Sequence, residues 1–148
     1  MRAVIQRVSV ARVTVGDEVA GTIGRGVLVL VGIADGDTET EANWLVDKLL
    51  DFRIFEDDKG KLNRSLRDLN GELMLVSQFT LLADARKGRR PSFAAAARPE
   101  QAVPLYEHMV RRARDRGVTV ATGRFGARMR VELVNEGPVT IILDSKDR

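Results

Sequence analysis

Apolar positions in the first third of the chain alternate before they cluster. Over residues 2–15, Val8/Val10 and Val13/Val15 recur at period two among β-branched neighbours, which predicts one long or bent strand. Gly16-Asp17 predicts a turn, and Val19-Ala20 the start of a return strand. Val27–Ile33 is apolar on both faces, as a buried central strand is. The period then changes. After an Asp35-Gly36-Asp37 turn, Thr38 and Glu41 have the spacing of a capping box. Ala42, Leu45, Val46, Leu49 and Leu50 follow at helical intervals, so a helix is predicted over 39–51. Phe52–Phe55 reads as a short alternating strand, and the acidic 56–60 stretch as a loop. Asn70-Gly71 signals a turn into a buried strand, Glu72–Val76, which ends at Ser77-Gln78-Phe79-Thr80.

The second half is less regular. Lys87-Gly88-Arg89-Arg90-Pro91 fits neither regular helix nor central strand, so 83–98 is read as irregular. A second helix is predicted over about 100–116, with Leu105, Met109 and Ala113 on its apolar face. Pro104 is expected in its first turn or bending it, and Gly117 just past its end. Val118–Ala121 predicts a short strand. Ala127, Met129, Val131 and Leu133 alternate with Arg128, Arg130 and Glu132, as a half-exposed strand does. Asn135-Glu136-Gly137 predicts a turn before a last strand, Val139–Leu143. About seven strands with two helices and long helix-free stretches argue against a doubly wound parallel sheet. The fold class expected is α/β of the α+β type: a curled mixed or antiparallel β-sheet approaching a barrel, with two helices on one side.

Composition narrows the chemistry. The 148 residues suit one domain spanning 1–148, a size that buries roughly 68–70% of the unfolded surface. Without Cys, disulfide scaffolds, Cys-ligated zinc and iron–sulfur clusters are excluded. With one His, a poly-His metal site is excluded, and a Ser–His–Asp triad has only His108 to draw on. His108 falls at helical spacing from Arg111 and Arg112, which disfavours its protonated form, so it reads as a surface residue rather than a poised base. No segment approaches the ~18–20 apolar residues that span a bilayer, and the N-terminus lacks a signal-peptide core. The net charge of +3 is unevenly laid out. Residues 86–130 carry 12 Lys/Arg and 3 Asp/Glu, a local +9, against 12 and 18 elsewhere, a local −6. Of the 24 basic residues 19 are Arg, which suits bidentate phosphate contacts. A polyanionic partner and a merely solvated face both fit this layout.

Three other stretches are candidates for function. Gly21–Gly26 runs G-x-x-G-x-G and precedes a strand, so it lacks the helix N-terminus that cradles a phosphate; a hairpin is the better reading. Ser77-Gln78-Phe79-Thr80 puts hydroxyls, an amide and an aromatic at a strand end. That is ligand-binding rather than acid–base chemistry, or simply a polar strand end. In Asn135-Glu136-Gly137-Pro138-Val139-Thr140, the missing Gly Cβ lets backbone press on a ligand, and a Gly-Pro bond adopts the cis form at modest cost; an ordinary turn fits as well.

Taken in order, these pieces resemble the D-aminoacyl-tRNA deacylases, also called D-tyrosyl-tRNA deacylases. The resemblance runs through Gln6-Arg7-Val8, Leu45–Phe52, Ser77–Leu81, Lys87–Phe93, Tyr106, Gly123–Met129 and Asn135–Thr140, across essentially the whole chain. It implies a homodimeric cytoplasmic hydrolase that cleaves the ester between a D-amino acid, and often glycine, and the tRNA 3′ end, without metal or organic cofactor and without a membrane. Ser77, Gln78, Phe79 and Thr80 are then the catalytic group, holding amino acid and terminal ribose. Gly137 and Pro138, in a cis linkage, reach into the partner subunit's pocket and exclude an L side chain. Arg7 fixes that loop, with Val139 and Thr140 beside it. Arg86, Lys87, Arg89 and Arg90 contact tRNA. Either Thr80 is a nucleophile or activates water, or the substrate's 2′-OH assists while backbone N–H groups near Phe79 stabilise the oxyanion. The residue inventory favours the second. A non-catalytic nucleic-acid-binding dimer and a small-molecule ester or amide hydrolase remain as alternatives.

Overall fold

In a computed structural model describing residues 1–148, β1 (Arg2–Val15) is the spine of the molecule. It turns at Gly16-Asp17 into β2 (Glu18–Ile23), which runs on into β3 (Gly26–Gly32). Both pair with β1 antiparallel: β2 with residues 11–15, β3 with residues 2–8. Gly21–Gly26 is therefore not a hairpin. It is a kink within one long return arm whose reversal lies at Gly16-Asp17. The kink reflects close packing on the next strand, β6 (Glu72–Ser77). A Cβ on Gly26 would sit 1.8 Å from the Glu72 carbonyl oxygen, and Gly24 N–H donates to the Glu72 carboxylate at 3.0 Å.

Helix α1 (Glu39–Asp51) starts at the expected capping box: the Thr38 hydroxyl accepts from Thr40 N–H at 3.2 Å, and Thr38 N–H donates to Glu41 at 2.7 Å. The strand expected over 52–55 shrinks to β4 (Phe55–Glu56), which pairs with β5 (Leu62–Arg64), a strand whose exposed, polar residues carry no apolar alternation. Strand β6 enters from the Asn70-Gly71 turn, with Asn70 at φ 51°, and lies parallel to β3. It leads into a 3₁₀ turn, Phe79–Leu82. Helix α2 (Pro99–Asp115) buries Leu105, Met109 and Ala113 as expected. Pro104 stands in its second turn, on the exposed side, where its missing N–H costs one internal bond. Strand β7 (Val120–Thr122) adds to β6 in parallel.

The last strand departs most from expectation. Instead of two strands about a turn, β8 (Arg130–Asp144) is continuous and pairs with β1 along its length. The alternation predicted from Ala127 begins as strand only at Arg130. Gln6 is opposite Thr140 and Val8 opposite Asn135, so two steps along β1 are matched by five along β8. The chain bulges out at Glu136–Val139 without reversing.

The result is a curled mixed sheet, ordered β2-β1-β3-β6-β7 with β8 on the other side of β1. Side-chain alternation gives it two cores. Val27, Val29, Val31, Leu73 and Leu75 face the two helices; Leu28, Met74, Val76, Val8 and Val13 fill the inside of the curl. No helix is long and apolar enough to cross a membrane.

Candidate active site

The end of β6 opens onto an apolar cavity of about 530 Å³. Ser77, Gln78 and Phe79 line one side. The 93–102 segment, from Phe93 to Ala102, and the Phe125–Met129 loop close it. Neither of these last two elements was among the site residues named from sequence. Their signal is weak, because alanines and a glycine-flanked Phe look like filler until the fold brings them together. Tyr106 braces the far wall. Its hydroxyl donates to the Leu75 carbonyl at 2.7 Å, and its ring lies 6.0 Å from Phe125. Burial pushes the Tyr106 phenol up to about 12, so it stays a neutral donor.

The cavity lining contains no Asp, Glu or His; its one charged residue is Arg98 at the mouth. Thr80 is exposed beside it, and its hydroxyl accepts a hydrogen bond from the Gln78 amide. An amide in either orientation is no base near neutral pH. His108 is remote from the cavity: its Nε2 meets Asn43 Oδ1 at 2.7 Å and its Nδ1 lies 3.7 Å from Glu39, on the seam between α1 and α2. It is half-buried there rather than a free surface residue. The available polar chemistry is therefore backbone. In the 3₁₀ turn the first internal bond runs from Leu81 N–H to the Gln78 carbonyl at 3.2 Å, which leaves the Phe79 and Thr80 amides outside the turn's own bonding.

The Gly-Pro motif lies elsewhere. Arg7 is buried on β1 directly behind the β8 bulge. Its Nε donates to the Glu136 carbonyl and its Nη1 to the Ile54 carbonyl, each at 2.9 Å, and Nη2 lies 3.6 Å from Glu56. The Gly137–Pro138 bond is cis, and Gly137 has φ 130°. Asn135 closes the base of the bulge: its amide donates to the Thr140 hydroxyl at 2.9 Å and its Oδ1 accepts from Val139 N–H at 3.2 Å. Val139 and Thr140 thus hold the bulge, while Gly137 and Pro138 are exposed at its crest. Ser77 pairs with Val31, which faces Ala3, whereas Gly137 lies beside Arg7–Val8. Three strand spacings, about 14 Å along the sheet, separate the two motifs. Within one chain they do not share the cavity.

The basic residues divide as well. Lys87, Arg89 and Arg90 are exposed and unpaired at the tip of a hairpin closed by Asp84 and Ser92. Arg86 is clamped on Asp84 at 2.9 and 2.7 Å. The α2 arginines are largely spoken for: Arg112 and Arg116 both bind Asp47, and Arg114 donates to the Val120 carbonyl. The local +9 is thus concentrated, as free charge, at the hairpin tip and on Arg111, Arg128 and Arg130, which form no ion pair.

The family model described as D-Tyr-tRNA(Tyr) deacylase matches residues 4–144. A protein of Roseiflexus sp. (strain RS-1) named D-aminoacyl-tRNA deacylase is 61% identical over 145 residues, 98% of this chain and 94% of that one. Among solved structures, one titled c-Myc DNA Unwinding Element Binding Protein is 44% identical with a TM-score of 0.91, covering 97% of this chain and 98% of that one. Another, titled a probable eukaryotic D-amino acid tRNA deacylase, shares the fold at a TM-score of 0.78 and 23% identity, covering 96% and 97%.

Proposed function

The chain belongs to the D-Tyr-tRNA(Tyr) deacylase family, and on that premise we propose that it hydrolyses D-aminoacyl-tRNA at the Ser77–Thr80 end of the cavity. Water adds to the ester carbonyl, the bond from that carbon to the ribose 3′-oxygen breaks, and free tRNA and the D-amino acid leave. The observation that carries this reading is a cavity without a single acid or imidazole, ended by a turn with two uncommitted amides. Such a site cannot supply a conventional general base. It can position an already activated ester and stabilise its oxyanion, with the substrate's own 2′-OH relaying the proton. Thr80 then orients substrate and is not acylated.

The chiral filter in this proposal is Gly137-Pro138. A backbone crest without a side chain, pinned from behind by Arg7, rejects an L side chain by collision while a D side chain points away. Glycine has no side chain to reject, so glycyl-tRNA is cleaved too. The crest is exposed and absent from its own chain's cavity, which supports a homodimer in which each crest completes the partner's site. Lys87, Arg89 and Arg90 contact the acceptor-end phosphates.

Incubation with D-Tyr-tRNA, L-Tyr-tRNA and Gly-tRNA tests the whole reading. The expectation is release from the D and glycyl forms only. Equal action on D and L refutes the filter. The name of the 44% identical structure favours one competing reading, a non-catalytic nucleic-acid-binding dimer; no action on any of the three substrates would select it. Thr80→Val is expected to raise KM more than it lowers kcat, and a trapped acyl-Thr80 would overturn the assisted mechanism.

A further inference from the structure

The segment from Phe79 to Phe93 leaves the cavity, runs into solvent and returns to it. On the way out, Ala83 N–H donates to the Thr80 carbonyl at 3.1 Å. Asp84 and Ser92 then exchange backbone hydrogen bonds in both directions, at 2.8 and 2.9 Å, closing a hairpin whose tip carries Lys87, Arg89 and Arg90. One residue after Ser92, the returning chain places the Phe93 ring 5.2 Å from the Phe79 ring at 76°, edge to face. Both rings border the cavity, and both are large apolar groups left well exposed, at 53% for Phe79 and 36% for Phe93. Neither belongs to a buried core cluster. Burial therefore does not explain where they sit, whereas their mutual contact does. The basic tip is joined to the Ser77–Thr80 turn twice, through the chain and through the ring pair.

We propose that Phe93 is a positioning residue: it clasps Phe79, so that phosphate contacts at the hairpin tip fix the Ser77–Thr80 turn in its reactive arrangement. The kinetic part rests on the deacylase reading; the mechanical part requires only that tRNA engages the tip. Without the clasp, the loop binds tRNA but its binding is not conveyed to the turn.

Two measurements test it. The first is amide hydrogen exchange across residues 79–82 with and without uncharged tRNA, in the wild type, Phe93→Tyr and Phe93→Leu. Protection by tRNA of about tenfold is expected in the wild type and in Phe93→Tyr, which keeps the aromatic edge, and is expected to vanish in Phe93→Leu. The second is steady-state hydrolysis of D-Tyr-tRNA. For Phe93→Leu, kcat is expected to fall about tenfold with KM within about twofold, and Phe93→Tyr to stay near wild type. The surface variant Arg89→Ser/Arg90→Ser, which carries little folding risk, is expected to lower kcat as well as raise KM. A tip that raises KM alone, a Phe93→Leu variant that keeps both kcat and protection, or a wild type whose turn gains no protection overturns the clasp. A wild type that hydrolyses nothing overturns the deacylase reading instead, and the exchange measurement still decides the clasp.

Discussion

The Gly137-Pro138 bulge and the Phe79–Phe93 loop both project from the sheet, yet they are held in opposite ways. The bulge is anchored from behind by a buried guanidinium with two carbonyl acceptors, and its base is bridged by Asn135. The loop is exposed along most of its length and is held by one backbone pair, one ring pair and one surface ion pair. The contrast follows from the tasks proposed for each. Rejecting a side chain by collision needs backbone that does not give way; receiving a polyanion needs cations that are not already neutralised. Arginine serves both ends of the contrast: Arg7 is inside with its donors filled, Arg89 and Arg90 are outside with theirs free.

The strongest way to break this comparison is to unpin the bulge. Arg7→Ala leaves the Glu136 and Ile54 carbonyls without their donor and a void behind the crest. It is expected to cost roughly 3 kcal/mol, which for a chain of this size lowers the melting temperature by about 6–12 °C. Hydrolysis of L-Tyr-tRNA is expected to rise relative to D-Tyr-tRNA. A stable variant with an unchanged D-to-L ratio would show that the crest needs no pin. Gly137→Ala attacks the same point from the other side. Its Cβ would lie 2.8 Å from Arg7 Nη2, at a φ that L residues rarely adopt, for a cost of about 1–3 kcal/mol. The same loss of discrimination is expected.

The loop predicts a different signature. Arg89→Ser/Arg90→Ser is expected to leave the melting temperature nearly unchanged while weakening tRNA binding. Two phosphate contacts fewer reduce the slope of log affinity against log salt by about 1.4–1.8. Arg112→Ala is the matched control. It opens the half-exposed Asp47 ion pair, costs about 1 kcal/mol or less, and is expected to leave both the affinity and the salt slope alone. A drop in tRNA affinity for Arg112→Ala comparable to that of the tip variant would mean that the α2 face, and not the hairpin, carries the contact.

The two regions were also unequally legible in the sequence. Where side-chain period and burial agree, the pattern suffices. The Thr38/Glu41 cap, the 39–51 helix, the doubly apolar β3 and the start of β6 all stand where periodicity puts them. The Ser77–Thr80 stretch announces itself as a polar strand end, and the basic tip as a Pro- and Gly-broken run of cations. The bulge is misread as a reversal because Asn-Glu-Gly is ordinary turn chemistry. Only the pairing of β1 across it, and a guanidinium arriving from residue 7, turns it into three looped-out residues on a continuous strand. The kink at Gly21–Gly26 is misread for a related reason. Its glycines serve contact with β6, some 50 residues away in the chain, and local pattern carries no information about that neighbour. The cavity walls from 93–102 and 125–129 are invisible for the same cause.

The smallest expected effect makes the sharpest distinction, because it separates two arginines within one hairpin. Charge counting treats Arg86 and Arg89 alike. In the structure Arg86 lies across Asp84, while Arg89 has no carboxylate partner. The Arg86 side chain, then its backbone N–H, holds the Asp84 carboxyl below the usual carboxylate range. A carboxyl depressed in the folded state contributes fully above its unfolded pKa and loses that contribution as the pH falls through the lower folded value. Between about pH 6 and 8 the clamp is therefore closed and flat with pH. Over that range Arg86→Ala is expected to change tRNA affinity by less than about twofold, and Arg89→Ala by about threefold or more, in line with one lost phosphate contact. Asp84→Asn frees the Arg86 guanidinium and removes a repelling charge, so it is expected to tighten binding by about twofold at low salt and to steepen the salt dependence. An Arg86→Ala variant as damaging as Arg89→Ala would mean that tRNA opens the clamp on arrival, and that the loop is shaped by its ligand to a degree the bulge is not.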